Sequence, residues 1–411
     1  MEELLNREFF DCVKRVAEKV EGYAGRNITV VHHNDADGIC SGAILSNFCS
    51  CLGKEVERVC IEKVHPKIIE KIHEGKEGEI IFYTDLAGLA SNMIDKIDAG
   101  RNEVIIIDHH PAKSIESKNV LVFDSELIGI SGDLFISAST LNYIVCRTIN
   151  KEMRKFAYLA VVGAVGDYHD RSGGVLGLDR LALDEAMHMG QVKIKIEETR
   201  ERYYIEFFEE FADVVARRLT NLGAIGYGKE GYKKGVKACL EGFDEKTIRE
   251  AEELENIKNE KFDKTIERLK EGELIQGKYT QWFHLRDSFS PMGVKAVGEF
   301  MQLAKDMTVF DENKYIVGFQ NMPDLIPDLG RLDLNAVKMS GRIPVPLEGK
   351  IIRGELPGLD YLVPKASEIV GAFADATHRI AAATVLEKGS EEKFVEEFEN
   401  LVEEFCRLKK L

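Results

Sequence analysis

Four short stretches of this sequence carry an apolar run into residues that bind cations. Val30-Val31-His32-His33-Asn34-Asp35-Ala36-Asp37-Gly38 sets imidazoles and two carboxylates, one residue apart, just after a β-branched run. Ile80-Ile81-Phe82-Tyr83-Thr84-Asp85, Val104-Ile105-Ile106-Ile107-Asp108-His109-His110 and Val161-Val162-Gly163-Ala164-Val165-Gly166-Asp167 repeat the arrangement. Each reads as a strand that ends in ligands. In open α/β sheets ligands bind where strands end, so the four clusters can meet in one crevice.

The residue types indicate the chemistry. Where the chain leaves a strand at Asp35-Ala36-Asp37, two carboxylates can diverge toward two different cations, and Gly38 permits the turn. His33 lies two residues before Asp35 and projects to the same side of an extended chain, so His33 is read as a ligand and His32 as packing or as a support behind the ligands. Asp35, Asp37, Asp85, Asp167 and one or two histidines offer more ligands than one ion needs. Hard and borderline donors of this kind suit a pair of Mn²⁺ or Mg²⁺ ions, with Co²⁺ a further candidate, better than a closed zinc site. Two such ions about 3.5–4 Å apart form a clamp for phosphoester hydrolysis and activate a water as nucleophile. Asp85, at a strand terminus, is best placed to bridge both.

In order along the chain, Asp35-Ala36-Asp37-Gly38-Ile39-Cys40-Ser41, Asp85, Asp108-His109-His110 and Gly163-x-x-x-Asp167 resemble the four motifs of the DHH phosphoesterase superfamily. Lys338-Met339-Ser340-Gly341-Arg342 and Thr377-His378-Arg379-Ile380-Ala381-Ala382-Ala383 resemble the two signatures of the DHHA1 domain, which in that family closes over the substrate. Together they resemble the RecJ-like branch, particularly its archaeal single-strand exonucleases. Where family members usually carry glycines, this chain has Asp375-Ala376-Thr377 before His378, and Ala383 after the paired alanines. The resemblance implies a doubly wound parallel-sheet α/β domain, a smaller mixed α/β domain and an active site in the cleft between them. It implies that His109 is a metal ligand, that His110 touches the scissile phosphate or its leaving group, and that Asp108 orients an imidazole. It further implies that Lys338, Ser340, Arg342 and His378 bind substrate, Arg342 or His378 also stabilising developing charge. Single-stranded DNA or RNA would be the partner, within or outside a replication or RNA-processing complex.

These residues need a scaffold, and 411 residues exceed what one core usually holds. Residues 8–23 place Phe9, Phe10, Val13, Val16 and Ala17 on one side of a leading helix. Strand and helix signals then alternate to about residue 190, as a doubly wound sheet requires. From residue 192 to 277 the β signal fades into charged helical runs such as Glu250-Ala251-Glu252-Glu253-Leu254-Glu255-Asn256-Ile257-Lys258. The expected division is therefore a catalytic domain over 1–191, a helical connector over 192–277 and a substrate-binding domain over 278–411. Strands near Tyr315-Ile316-Val317-Gly318-Phe319 and Ala336-Val337-Lys338-Met339-Ser340 and a final acidic helix from Glu391 belong to the last of these.

Composition narrows the class. With 44% hydrophobic residues and 9 prolines the chain is globular, and no apolar run approaches the roughly 20 residues a membrane span requires. The acidic start, Met1-Glu2-Glu3-Leu4-Leu5, lacks a basic, apolar secretory pattern, so a cytoplasmic protein is expected. Eight cysteines without a Cys-x-x-Cys pair read as reduced small hydrophobes. A net charge of −16 runs against long contacts with a polyanion, although two cations would offset it locally. That balance favours a footprint of a few nucleotides and keeps a short-oligonucleotide or cyclic-dinucleotide phosphodiesterase as an alternative. A non-catalytic replication scaffold is a second alternative, against which the complete ligand set argues.

Other polar residues read as ordinary structure. His169 and Asp170 are expected in a plain loop, and His65, His73, His188 and His284 in structural roles. Ser139 and Thr140 read as helix caps, with a phosphate held at that helix N-terminus as the alternative. The basic stretch Lys229-Glu230-Gly231-Tyr232-Lys233-Lys234-Gly235-Val236-Lys237 reads as a solvated loop, with a nucleic-acid track stacked on Tyr232 as its alternative.

Overall fold

A computed structural model describes residues 7–409, apart from the side chains of 373–377. The acidic start, Met1 to Leu5, lies outside the described residues. The chain divides into two compact units, one running to Leu254 and including Leu325–Leu332, the other comprising Glu255–Asp324 and Asp333 onward.

In the first unit α1 (Arg7–Glu21) leads into β1 (Asn27–His32), α2 (Ala36–Cys51), β2 (Glu55–Cys60), α3 (Pro66–His73), β3 (Ile80–Thr84), α4 (Ser91–Asp98), β4 (Glu103–Asp108) and β5 (Val120–Asp124). The strands form one parallel sheet in the order β2-β1-β3-β4-β5. Strands such as Ile80–Thr84 are buried at every residue, because helices cover both faces of the sheet. Helix α1 buries Phe9, Val13, Val16 and Val20 at helical spacing, while Phe10, expected on that side, is turned outward and 48% exposed. The strand order reverses between β1 and β3, and at such a switch point the two chain exits diverge and leave a crevice.

The unit continues with α5 (Ala138–Ile149), α6 (Ala157–Gly166) and α7 (Gly177–His188). Helix α6 corrects the sequence reading of Val161 to Asp167 as a strand. A continuous apolar run has no period to distinguish strand from helix, and here ten residues rich in alanine and glycine pack as a buried helix. A second correction concerns residues 192–277. Strands β6 (Val192–Glu197), β7 (Arg200–Ile205) and β8 (Glu210–Phe211) form an antiparallel sheet before helices α8 (Ala212–Thr220), α9 (Gly231–Glu241) and α10 (Glu245–Arg268). Val192, Ile194 and Ile196 alternate with Lys193, Lys195 and Glu197, a period-two pattern hidden by its charge. The basic stretch from Lys229 is not a loop but runs into α9, and its Tyr232 is buried against His32, with ring centroids 5.4 Å apart, so it is not available to stack a base.

The second unit is built on a mixed sheet ordered β15-β16-β14-β11-β10-β9. Its elements are β9 (Ile275–Gln276), β10 (Thr280–His284), α11 (Lys295–Ala304), β11 (Tyr315–Asn321), β14 (Ala336–Arg342), α12 (Val345–Ile352), α13 (Leu359–Ile369), β15 (Phe373–Thr377), β16 (Ala381–Glu387) and α14 (Glu391–Lys409). The small hairpin β12 (Leu325–Ile326) and β13 (Gly330–Arg331) interrupts it and belongs to the first unit. Tyr315, Val317, Phe319, Val337 and Met339 of the sheet pack with Phe394 and Phe398 of α14 into its core. No helix among the described residues is long and apolar enough to cross a membrane.

Candidate metal centre

The switch point between β1 and β3 gathers the predicted ligands. His33 follows β1, and Asp35 caps α2 by accepting a hydrogen bond from the Gly38 N–H at 3.0 Å. His33 Nδ1 lies 2.9 Å from Asp35 Oδ2 and 3.4 Å from Asp85 Oδ2. The turn that carries them is steadied by buried Asn34, which donates to Glu62 Oε1 at 2.7 Å. Gly223 lets the chain pass against that turn, since a Cβ there would stand 1.9 Å from the Asn34 carbonyl.

Asp37 parts from Asp35 as expected, but from a helix and not from a strand exit. It lies in the first turn of α2, fully buried, and its carboxylate accepts from the Ala138 N–H at 2.7 Å and the Ser139 N–H at 3.0 Å. The N-terminus of α5, where a phosphate could bind, is therefore occupied by a carboxylate of the protein itself. The cap of that helix is Ser137, which accepts from the Thr140 N–H; Ser139 and Thr140 sit inside it. Gly163 admits the contact between α6 and Asp37, because a Cβ there would lie 2.3 Å from Asp37 Oδ1 and 2.0 Å from Ser139 Oγ.

Asp85 leaves β3 with φ +64°, and Ala87 follows at φ +86°, two left-handed residues that are not glycine. Backbone strain of this kind costs about 1–3 kcal/mol per residue and persists only where surroundings impose it. Here it turns Asp85 into the crevice at 2% exposure, where neither carboxylate oxygen has a hydrogen-bond partner.

The strand β4 delivers three residues with separate tasks. Asp108 accepts from the His109 N–H at 2.8 Å, from the Gly88 N–H at 3.0 Å and from His110 Nδ1 at 2.9 Å. His109 directs Nδ1 at the Gly132 and Ile136 carbonyls, 2.9 and 3.2 Å away. Carbonyl acceptors require the proton on Nδ1, which leaves a lone pair on Nε2. That Nε2 is buried without a hydrogen-bond partner and stands 3.3 Å from both Asp85 Oδ1 and Asp167 Oδ2 and 3.9 Å from Asp37 Oδ2. Asp167 arrives as the C-cap of α6. His110 keeps a side chain 42% exposed.

Two ligand sets result: His33, Asp35 and Asp85 in one, and Asp37, Asp85, His109 and Asp167 in the other, the donor atoms of each set lying within 4.8 Å of one another. Asp85 belongs to both. Burial, together with the charges of Asp85 and Asp167, pushes the Asp37 carboxyl up to about 8. Burial alone would lower His109, but without a cation Asp167 and Asp85 hold it well above the ordinary imidazole range, so the Nε2 lone pair becomes available when a cation takes the place of the proton those carboxylates favour there. Burial opposes ionisation of Asp108 as well, yet His110, His109 and the Gly88 N–H hold its carboxyl well below the usual range. Crowded carboxylates and an orphaned buried imidazole nitrogen are what divalent cations would satisfy. The cluster fits such ions on its own chemistry.

Sequence reasoning missed several supporting groups. The Gly132 and Ile136 carbonyls and Glu62 carry no local signal. Asp124 at the end of β5 is buried beside Asp108, and burial plus that neighbour's charge push it up to about 8. His169, expected in a plain loop, is buried and joins Asp167 and His109. In the second unit Lys338, Ser340 and Arg342 lie on β14, the first two buried, and His378 follows β15. Arg342 donates to Gln302 Oε1 and to the Gly341 carbonyl, and burial lowers its guanidinium to about 10. The side chains of Asp375, Ala376 and Thr377 lie outside the described ones.

Residues 27–164 match the DHH family, N-terminal domain. An uncharacterised protein of Methanocaldococcus jannaschii is 28% identical over 226 residues, a match covering 54% of this chain and 50% of that protein. The chain thus matches only about half the length of that relative. Among solved structures, RecJ of Thermus thermophilus in complex with Mn²⁺ superposes with a TM-score of 0.63 at 13% identity, over 96% of this chain and 55% of that one. An exonuclease RecJ bound to manganese superposes with a TM-score of 0.58 at 14% identity, over 95% of this chain and 94% of that one. With its motifs on this fold and its buried cluster of carboxylates and imidazoles, residues 27–164 are a domain similar to the N-terminal domain of the DHH family, whose members are metal-dependent phosphoesterases, and the chain has a RecJ-like fold.

Proposed function

We propose that this protein is a two-metal phosphodiesterase that degrades single-stranded DNA or RNA from an end and releases mononucleotides. One observation carries the reading: buried Asp85 belongs at once to the His33–Asp35 set and to the Asp37–His109–Asp167 set, the arrangement a bridging carboxylate requires. When bound, a pair of divalent ions, Mn²⁺ foremost and Mg²⁺ or Co²⁺ as substitutes, supplies an activated water and neutralises charge that develops on the phosphate. His33, Asp35, Asp37, Asp85, His109 and Asp167 hold the site together. His110, its Nδ1 tied to Asp108, is oriented to present its other nitrogen to a departing oxygen and to supply the proton that oxygen needs. Lys338, Ser340, Arg342 and His378 supply the grip on substrate phosphates. The likeness to RecJ structures supports an exonuclease over other phosphoesterases.

The net charge of −16 favours a second reading, in which the substrate is a dinucleotide, a cyclic dinucleotide or a very short RNA. A backbone track would make the rate at limiting substrate rise from two nucleotides to about six and fall as salt increases. The deciding measurement is kcat/KM with Mn²⁺ for a ladder of end-labelled single-stranded DNA and RNA oligomers at two salt concentrations, beside a blunt duplex. Stepwise release of mononucleotides from long single strands, with the duplex spared, supports the exonuclease. If dinucleotides or a cyclic dinucleotide prove best and long strands poor, the second reading replaces it.

A further inference from the structure

Just beyond Asp167 the chain makes a turn that is costly for its sequence. Tyr168 sits at φ +60° and is 72% exposed, while the next residue, His169, is 4% exposed. The left-handed conformation of a bulky aromatic is unfavourable, and it accompanies a turn that brings the His169 N–H back to the Ala164 carbonyl of α6 at 3.0 Å. There Nδ1 of His169 donates to Asp179 Oδ2 at 2.6 Å. Asp179, in the first turn of α7, is itself fixed, since its other oxygen accepts from the Ser137 N–H at 3.0 Å. Both His169 and Asp179 are buried. A buried carboxylate that takes the Nδ1 proton leaves the Nε2 lone pair directed the other way and raises its basicity, as in carboxylate–histidine–metal arrangements. A donor nitrogen of His169 lies with a ring nitrogen of His109 and a carboxylate oxygen of Asp167 in a group whose atoms are all within 4.8 Å of one another.

Resting on the two-ion reading of this site, we propose that His169 is an additional nitrogen ligand of the ion held by Asp37, Asp85, His109 and Asp167, and that Asp179 is the residue that positions it. The centre would then be asymmetric, with two imidazoles on this ion and one, His33, on its partner. Borderline nitrogen donors favour Mn²⁺ and Co²⁺ over Mg²⁺, so this ligand would also bias the choice of metal.

The test is metal binding, measured without turnover. Wild type, His169→Asn and Asp179→Asn would be titrated with Mn²⁺ by calorimetry, and the visible spectrum of the Co²⁺-loaded proteins recorded. His169→Asn keeps an N–H toward Asp179 and deletes the donor nitrogen, so one of the two Mn²⁺ dissociation constants should rise about 10–100-fold and the Co²⁺ bands should shift. Asp179→Asn, which can still accept the Nδ1 proton, should give a smaller rise, and it decides the matter if His169→Asn does not fold. Affinities and spectra unchanged from wild type in a folded variant overturn the inference while leaving the two-ion reading intact. Wild-type protein that takes up no Mn²⁺ overturns both.

Discussion

Asp85 concentrates the strongest consequences in one side chain. Its φ of +64° is tolerated by asparagine at least as well as by aspartate, so Asp85→Asn preserves the fold and removes one buried charge beside Asp37 and Asp167. Uptake of both ions should weaken and kcat should fall by several powers of ten, with the unfolding midpoint of the metal-free protein unchanged or higher. Wild-type turnover by this variant would remove the bridging role. His32 makes a separate prediction. Fully buried between Gly42 and Tyr232, it is pushed down to about 4 by burial, against its hydrogen bond to the His33 carbonyl. The unfolded chain, with an ordinary imidazole, then binds the extra proton between pH 6.5 and 4, so the stability that rests on neutral His32 is complete above about 6.5 and is lost as the pH falls. Between pH 7.5 and 5 that amounts to about 2 kcal/mol. Denaturant titrations in EDTA at those two pH values should show a correspondingly smaller decline for His32→Leu.

At the scale of elements, the site depends on how closely helices approach one another. Gly163→Ala would drive a methyl group into Ser139 Oγ and Asp37 Oδ1 and separate α6 from the N-terminus of α5. A loss of about 1–3 kcal/mol is expected from such overpacking, together with reduced Mn²⁺ uptake as Asp37 leaves the Ala138 and Ser139 N–H groups. Ala99 is the opposite case. It ends α4 at φ +53°, exposed, with its N–H on the Asp95 carbonyl, a position glycine occupies without strain. Ala99→Gly should raise stability by roughly 0.5–1 kcal/mol and leave metal binding untouched, both readable from thermal melts with and without Mn²⁺.

Across the whole molecule, metal chemistry falls to the first unit and the proposed substrate grip to the second. Arg342→Ala and His378→Ala should each lower kcat/KM on polynucleotides by about tenfold or more at unchanged Mn²⁺ content, while a small chromogenic phosphodiester loses less. Equal losses on both substrates, or none, would remove those residues from the grip. Mn²⁺ itself should protect the first unit from unfolding, by about 3 kcal/mol when free ion is a hundred times its dissociation constant, because only the folded chain collects the ligands. Melting in Mn²⁺ and in EDTA measures that difference.

Local pattern was enough to identify much of this. His33, Asp35, Asp37, Asp85 and the Asp108-His109-His110 triplet were legible because strand exits in a parallel sheet are marked by an apolar run and a sudden change to polar residues, a signal contained in a few neighbouring positions. The parallel sheet, β11 and β14 were legible from their apolar runs, and α1 and α14 from apolar residues at helical spacing among charged ones. Tertiary structure decided what depends on contacts between distant segments. Whether Val161 to Asp167 was strand or helix turned on what buried it, not on its period. The charged alternation of Val192 to Glu197 became a strand only by pairing with Arg200 to Ile205. Asp37 belongs to the N-terminus of a helix 101 residues away, and His169 enters the centre through Asp179, ten residues farther along on another helix. The proton on His109 is placed by the carbonyls of Gly132 and Ile136, and a backbone carbonyl has no residue type by which a sequence could announce it.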